Sequence, residues 1–251
     1  MLGLGNSITG GAALDTFTPA NLGSTLLAWY QFNTGQTNLS GTDGNADNEM
    51  KWEDQSGGSR HATQRTNSAK PTFTAGYVDF EEDTASDRLA IATGDGAIRL
   101  MDNGSDACTI VMAVRRESSS TEGRILGSSN SEVFGFMANT TQILTKSSAG
   151  STTNEFASGT FPTGADFVLT YTRDSSREQL FYKNNALLSF ATEANPLPDG
   201  EVDIAFLGGY KSSHNVKAFD GRIYEMIICD TVLSTANREA TTSYVMSKVG
   251  L

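Results

Sequence analysis

The chain has 251 residues, of which 38% are hydrophobic and 19% charged, with 25 glycines and a net charge of −11. That length fits one large β domain, and the shortage of charge, made up by Gly, Ser, Thr and Asn, favours turns and solvated strand faces over helical bundles. The longest basic run is Arg115-Arg116, so neither nucleic acid nor anionic membrane is expected as a partner, and no apolar run approaches the ~18 residues of a membrane span.

Residues 1–24 differ in texture from the rest. Leu2, Leu4, Ile8, Leu14 and Phe17 are scattered among Gly, Thr and Asn at no fixed period, and no basic n-region of a signal peptide precedes them. This stretch is expected to be an arm that anchors the chain to a neighbour, with residues 25–251 forming the domain proper. From Leu26 onward strand and turn dominate. Residues 26–32, 77–81, 88–92, 108–116, 123–128, 132–138, 165–173, 178–184, 202–208 and 221–230 read as strands. Asn184-Asn185 reads as a hairpin turn, and 146–159 reads as a polar surface loop. One helix is convincing: Ser234 can cap it, Ala236, Ala240 and Tyr244 share a face, and Gly250 can stop it. Cys108 and Cys229 lie in apolar runs and read as buried thiols.

Two stretches carry a family likeness. The first is LLAWYQFN with KWEDQSGGSRHATQ and YVDFEED, within residues 26–91. The second is VDIAFLGGYKSSHNVKAFDGRIYEMIICDTVLSTANREATTSYVMSKVG, residues 202–250. Together they resemble the concanavalin A-like lectin/glucanase superfamily, in particular laminin-G-like domains. The resemblance implies an all-β, two-sheet antiparallel jelly-roll sandwich with one C-terminal helix. The Gly-rich opening MLGLGNSI ahead of such a domain resembles, in style, virion proteins of tailed phages, marine myoviruses above all. This implies a capsid decoration or head fibre-like accessory protein, located in the virion, assembled in the host cytoplasm. It would dock on the major capsid or another virion protein, in repeated copies or as a homo-oligomer. The superfamily equally implies a carbohydrate-binding module for cell-surface glycans.

The motifs themselves read as structural. Trp29 and Trp52 suit core anchors, Phe219 a core plug and Gly221 a turn, with Tyr224 or Glu225 opposite Ile223 across the sheet. Three places could carry chemistry. Asp43, Asn45, Asp47 and Glu49 place oxygens at alternate positions with Asp54 at the twelfth, a pattern that can wrap calcium. Calcium is the one cofactor the sequence suggests. Tyr210, His214 and Asn215 offer a stacking face and hydrogen bonds to a sugar. Glu201 and Asp203 resemble the opening of the glucanase E-x-D-x-(x)-E strand, but Ala205 and Phe206 stand where the second glutamate is needed. With that carboxylate missing, no catalytic residue is assigned and no enzymatic activity is expected.

Overall fold

A computed structural model describes residues 17–82, 87–91, 98–100, 107–119, 122–128, 132–192, 196–209 and 218–251. The chain is an all-β, jelly-roll-like sandwich of antiparallel sheets with one C-terminal α-helix among the described residues. In chain order the strands begin with β1 (Leu26–Tyr30), β2 (Gln36–Asn38), β3 (Met50–Trp52), β4 (Ala62–Gln64), β5 (Thr72–Thr74) and β6 (Tyr77–Phe80). There follow β7 (Leu89–Ile91), β8 (Ile98–Leu100), β9 (Cys108–Arg116), β10 (Gly123–Gly127), β11 (Glu132–Phe136), β12 (Gln142–Ser147) and β13 (Gly150–Glu155). The last are β14 (Asp166–Arg173), β15 (Gln179–Lys183), β16 (Ala186–Leu187), β17 (Val202–Ile204), β18 (Phe206–Leu207) and β19 (Gly221–Cys229), before α1 (Thr235–Val249).

An eight-stranded sheet runs β16-β15-β14-β9-β19-β6-β5, with β1 also paired to β19. A nine-stranded sheet runs β13-β12-β11-β10-β18-β7-β4-β3-β2, and β17 pairs with β8 in a small third sheet. The long strands β9 and β19 are apolar on both faces because both are covered. Ile110, Met112, Val114, Met226 and Ile228 face the space between the sheets. Val111, Ala113, Ile227 and Cys229 belong to a second cluster with Val245 of α1. The two cysteines therefore lie on opposite sides of one sheet. Both are free, and burial pushes each thiol up to about 12.

The hairpin at Asn184-Asn185 forms as expected, with both residues at positive φ, 48° and 67°. The polar stretch 146–159 does not stay a loop; most of it enters β12 and β13. Its inward polar side chains are satisfied inside the sandwich. Thr145 Oγ1 donates to Gln179 Oε1 at 2.7 Å, and the Tyr171 hydroxyl donates to the same oxygen at 3.1 Å. Phe219 is fully buried in the core, as expected. Gly221 has φ 152°, and a Cβ there would stand 2.1 Å from the Arg115 carbonyl oxygen, so only glycine lets β19 approach β9 at this end.

At the N-terminal side, the segment from Phe17 belongs to the folded unit. Pro19–Thr25 forms a 3-10 helix with Pro19 and Leu22 buried, and Phe17 and Leu22 join the cluster beneath α1. The helix itself is capped as read: Ser234 Oγ accepts from Asn237 N at 3.3 Å, and Gly250 sits in the left-handed region at φ 76°. Its buried face differs from the expected one. Thr241, Thr242 and Val245 point inward while Ala236 is exposed. Polar anchoring decides that rotation. Thr242 Oγ1 meets Thr170 Oγ1 of β14 at 2.9 Å, and the Arg238 guanidinium lies 3.9 Å above the Tyr182 ring.

Candidate functional site

The loop expected to hold calcium is closed by its own hydrogen bonds. Asn48 is fully buried at its centre and donates to Asp43 Oδ1 at 3.0 Å and to the Arg65 carbonyl at 2.8 Å. Asp43 Oδ1 also accepts the Asn67 amide at 2.9 Å. Glu49 is engaged by Arg65 through Nε at 2.9 Å and Nη2 at 2.6 Å. A cation already enters the loop: Lys70 Nζ donates to Asn48 Oδ1 at 2.8 Å and to the Leu39 carbonyl at 3.0 Å. Asn45 and Asp47 lie on the exposed rim.

Asp54 does not join this group. It is the hub of the W-x-D-x-S-G motif. Its Oδ1 accepts from the Trp29 and Ser56 amides, both at 2.9 Å, and its Oδ2 accepts from Ser56 Oγ at 2.8 Å and the Arg60 amide at 3.1 Å. These bonds tie β1 to the segment after β3. Among the described residues no group of three or more His, Cys, Asp or Glu side chains is placed together as a metal cluster, and Asp54 is held apart from Asp43 and Glu49 by its own bonds. Polar side chains of this loop also serve as backbone partners, as Asp43 does for the Asn67 amide and Asn48 for the Arg65 carbonyl.

Tyr210, His214 and Asn215 lie outside the described residues. Glu201 is exposed at the start of β17, where its amide donates to Ser148 Oγ at 3.0 Å. Asp203 sits opposite Arg99 in the small sheet, 3.8 Å from its guanidinium. The two carboxylates thus serve a strand edge, with no third carboxylate facing them among the described residues.

Sequence reading missed the acid at the centre of the outer layer. A β-bulge between Ile223 and Glu225 interrupts alternation in β19, so Ile223 faces the sandwich interior while Tyr224 and Glu225 are both outside it. Glu225 is fully buried beneath α1. Its Oε1 accepts the Trp29 indole N–H at 2.7 Å, and its Oε2 lies 3.4 Å from the Phe32 amide. Burial pushes its pKa up to about 7, against the hydrogen bonds from Trp29 and Phe32, the attraction of Lys248 and the Tyr244 hydroxyl. The Tyr244 phenol is itself pushed up to about 12, first by burial and then by Glu225. Above this layer runs an open groove of about 520 Å³, lined by Phe17, Thr18, Ala240, Ser243, Tyr244, Ser247 and Lys248. It presents apolar rings, three hydroxyl side chains of Ser and Thr, and one ammonium. The signal in the sequence was Glu225 inside the apolar run GRIYEMIIC, a charge where a covered strand should have none.

No protein-family model matches the chain, and no curated protein matches it. Solved structures do. A Trypanosoma rangeli sialidase, in complex with a difluoro-KDN ligand, is similar with a TM-score of 0.56 and 14% identity over 89% of this chain and 33% of its own. The binding domain of paraclostridial mosquitocidal protein 1 is similar with a TM-score of 0.57 and 10% identity over 90% and 53%. An HCR/D variant follows with a TM-score of 0.55 and 13% identity over 88% and 51%. The chain spans about a third of the sialidase chains and about half of the mosquitocidal-protein and HCR/D chains. At these identities the likeness shows the fold: a β-sandwich of the kind found in both sets of proteins. The expectation of a chain without enzymatic activity is corrected here, because enzyme chains stand among the neighbours and the fold does not set this chain apart from them.

Proposed function

We propose that the chain is a lectin-like binding module of the laminin-G-like class whose ligands are cell-surface glycans. The observation that carries this reading is the match of 90% of the chain to the binding domain of a mosquitocidal protein. The groove along α1 offers chemistry that sugars use: the Tyr244 ring, the Ser243 and Ser247 hydroxyls and the Lys248 ammonium. A glycan array with the full chain, followed by calorimetric titration of any hit with and without chelator, tests the reading. Saturable binding to a defined glycan supports it, and loss of that binding in Ser247→Trp places the ligand in the groove. Absence of saturable binding to every glycan overturns it.

The sequence favours a second reading that can coexist with the first. In it the module is a structural protein of a tailed-phage virion, a capsid decoration or head fibre-like protein that docks through residues 1–24. The Gly-rich start and the net charge of −11, which keeps particles mutually repelling, support it. Mass spectrometry of purified particles tests it. Many copies per particle support a decoration protein, and absence from particles overturns the reading. The docking variant should remove residues 1–16 alone, because Leu22 is buried in the domain itself.

A further inference from the structure

We propose that Glu225 is a proton-operated latch that sets how firmly α1, and the segment entering at Phe17, are seated on the outer face of the eight-stranded sheet. The geometry carries the inference. Glu225 is fully buried in the layer formed by Leu22, Trp29, Val111, Ala113, Ile227, Cys229 and Val245, where an apolar side chain would be expected. Its shortest contact is the Trp29 indole N–H, the Phe32 amide is at the far end of hydrogen-bond range, and the Tyr244 hydroxyl also faces it; all three donors are neutral. A carboxylate held this way lacks the paired charge that would offset its desolvation. The neutral acid has no such cost and still accepts from Trp29.

Every element around the group contributes. Trp29 comes from β1 and the Phe32 amide from the chain just after it. From β9 the residue opposite is Ala113, which brings no charge. From α1 come Tyr244 and Lys248. The Tyr244 phenol stays neutral at any pH of interest, since burial raises it to about 12. Lys248 attracts the carboxylate but is an exposed side chain whose ammonium lies 4.9 Å above the Tyr244 ring. The groups that sense Glu225 are therefore those that fix α1 and the first strand.

The direction follows from proton binding. With α1 seated, Glu225 releases its proton near 7; opened to water, it does so near its ordinary value of 4.5. Between these values the seated form holds a proton that the open form has lost. Raising the pH through that window weakens the seat, and outside the window the contribution is flat. The full span corresponds to a change on the order of a hundred-fold in the opening equilibrium of α1.

Hydrogen exchange of α1 amides, corrected for the intrinsic pH dependence of exchange, reads this directly between pH 4.5 and pH 8. The full-length chain should open more often as the pH rises, by on the order of a hundred-fold. Glu225→Gln keeps the acceptor for Trp29 and cannot ionise, so its α1 opening should be flat across the same range. Equal pH dependence in both proteins overturns the latch. Should the variant fold poorly, the Trp29 indole N–H resonance of the unaltered chain decides the matter. A midpoint near 7 supports the proposal, and a midpoint near 4.5 overturns it.

Discussion

Two buried layers share the eight-stranded sheet as a wall, and they are held by different chemistry. Between the sheets, aromatic rings meet one another in tilted and edge contacts. Phe181 stands 5.1 Å from Tyr171, 5.3 Å from Phe156, 6.0 Å from Phe190 and 6.3 Å from Phe134, centroid to centroid. Beneath α1 the contacts are mixed: a carboxyl on an indole, a pair of threonine hydroxyls and a guanidinium over a tyrosine ring. The first layer answers to shape, volume and neutral hydrogen bonds such as that of Thr145 to Gln179, so it should be indifferent to pH. The second contains a buried acid, so its tightness should follow pH in the window that Glu225 defines. A fold can thus carry a rigid interior and an adjustable outer layer on opposite faces of the same strands.

The largest effect expected from this contrast is in the inner layer. Phe181→Ala removes a fully buried ring with four aromatic neighbours and should cost ~3–5 kcal/mol, lowering Tm by about 10 °C. The loss, measured by urea unfolding, should be the same at pH 5 and pH 8. A pH-dependent loss would break the contrast between the layers. Asp54→Asn comes next, because Asp54 ties the first strand to the segment beyond β3. An amide can still accept at one oxygen, but its NH2 cannot accept from Ser56 Oγ or the Arg60 amide, and the cost should be ~1–3 kcal/mol. A loss below about 0.5 kcal/mol would show that the motif is not the structural tie described here.

The fold was legible in the sequence wherever burial required apolar residues. β9, β14 and β19 announced themselves as long Val, Ile and Leu runs. Strands β12 and β13 did not, because apart from Ile143 their buried core-side residues include the polar Thr145, Thr152 and Asn154, whose partners no local pattern reveals. The short strands β2, β4 and β5 were hidden for a related reason: three residues, of which only Ala62 in β4 is buried, carry too little periodicity to register. The acidic loop at 43–54 was ambiguous in the sequence, since alternate oxygens describe a ligand cage and a hydrogen-bonded turn equally well. Glu225 stood out in the sequence only as a charge within an apolar run, and its face stayed hidden because a one-residue bulge, which has no mark in this stretch, determines it.

The outer layer can be probed without touching its acid. Thr242→Val leaves the buried Thr170 hydroxyl without its partner on α1 and should cost ~1–2 kcal/mol, seen as faster exchange along α1. Replacing both threonines by valine should recover much of that loss, because no unpaired hydroxyl then remains. A double variant as unstable as the sum of the single ones would mean that packing volume, not hydrogen bonding, seats the helix.

The smallest change asks whether the two layers open together. Ser234→Ala removes the side-chain acceptor at the start of α1, at a cost of ~1 kcal/mol, and touches nothing between the sheets. If the outer layer opens as its own unit, amides of α1 should exchange about fivefold faster, while those of β9 and β14 keep their rates. That outcome fits a helix fixed to the wall by a few polar contacts, with the strands beneath it held from their other face by the aromatic core. Equal acceleration in α1 and in β9 would mean that the helix leaves only when the sandwich unfolds. The pH dependence expected from Glu225 would then appear in global stability, with no opening confined to the outer layer.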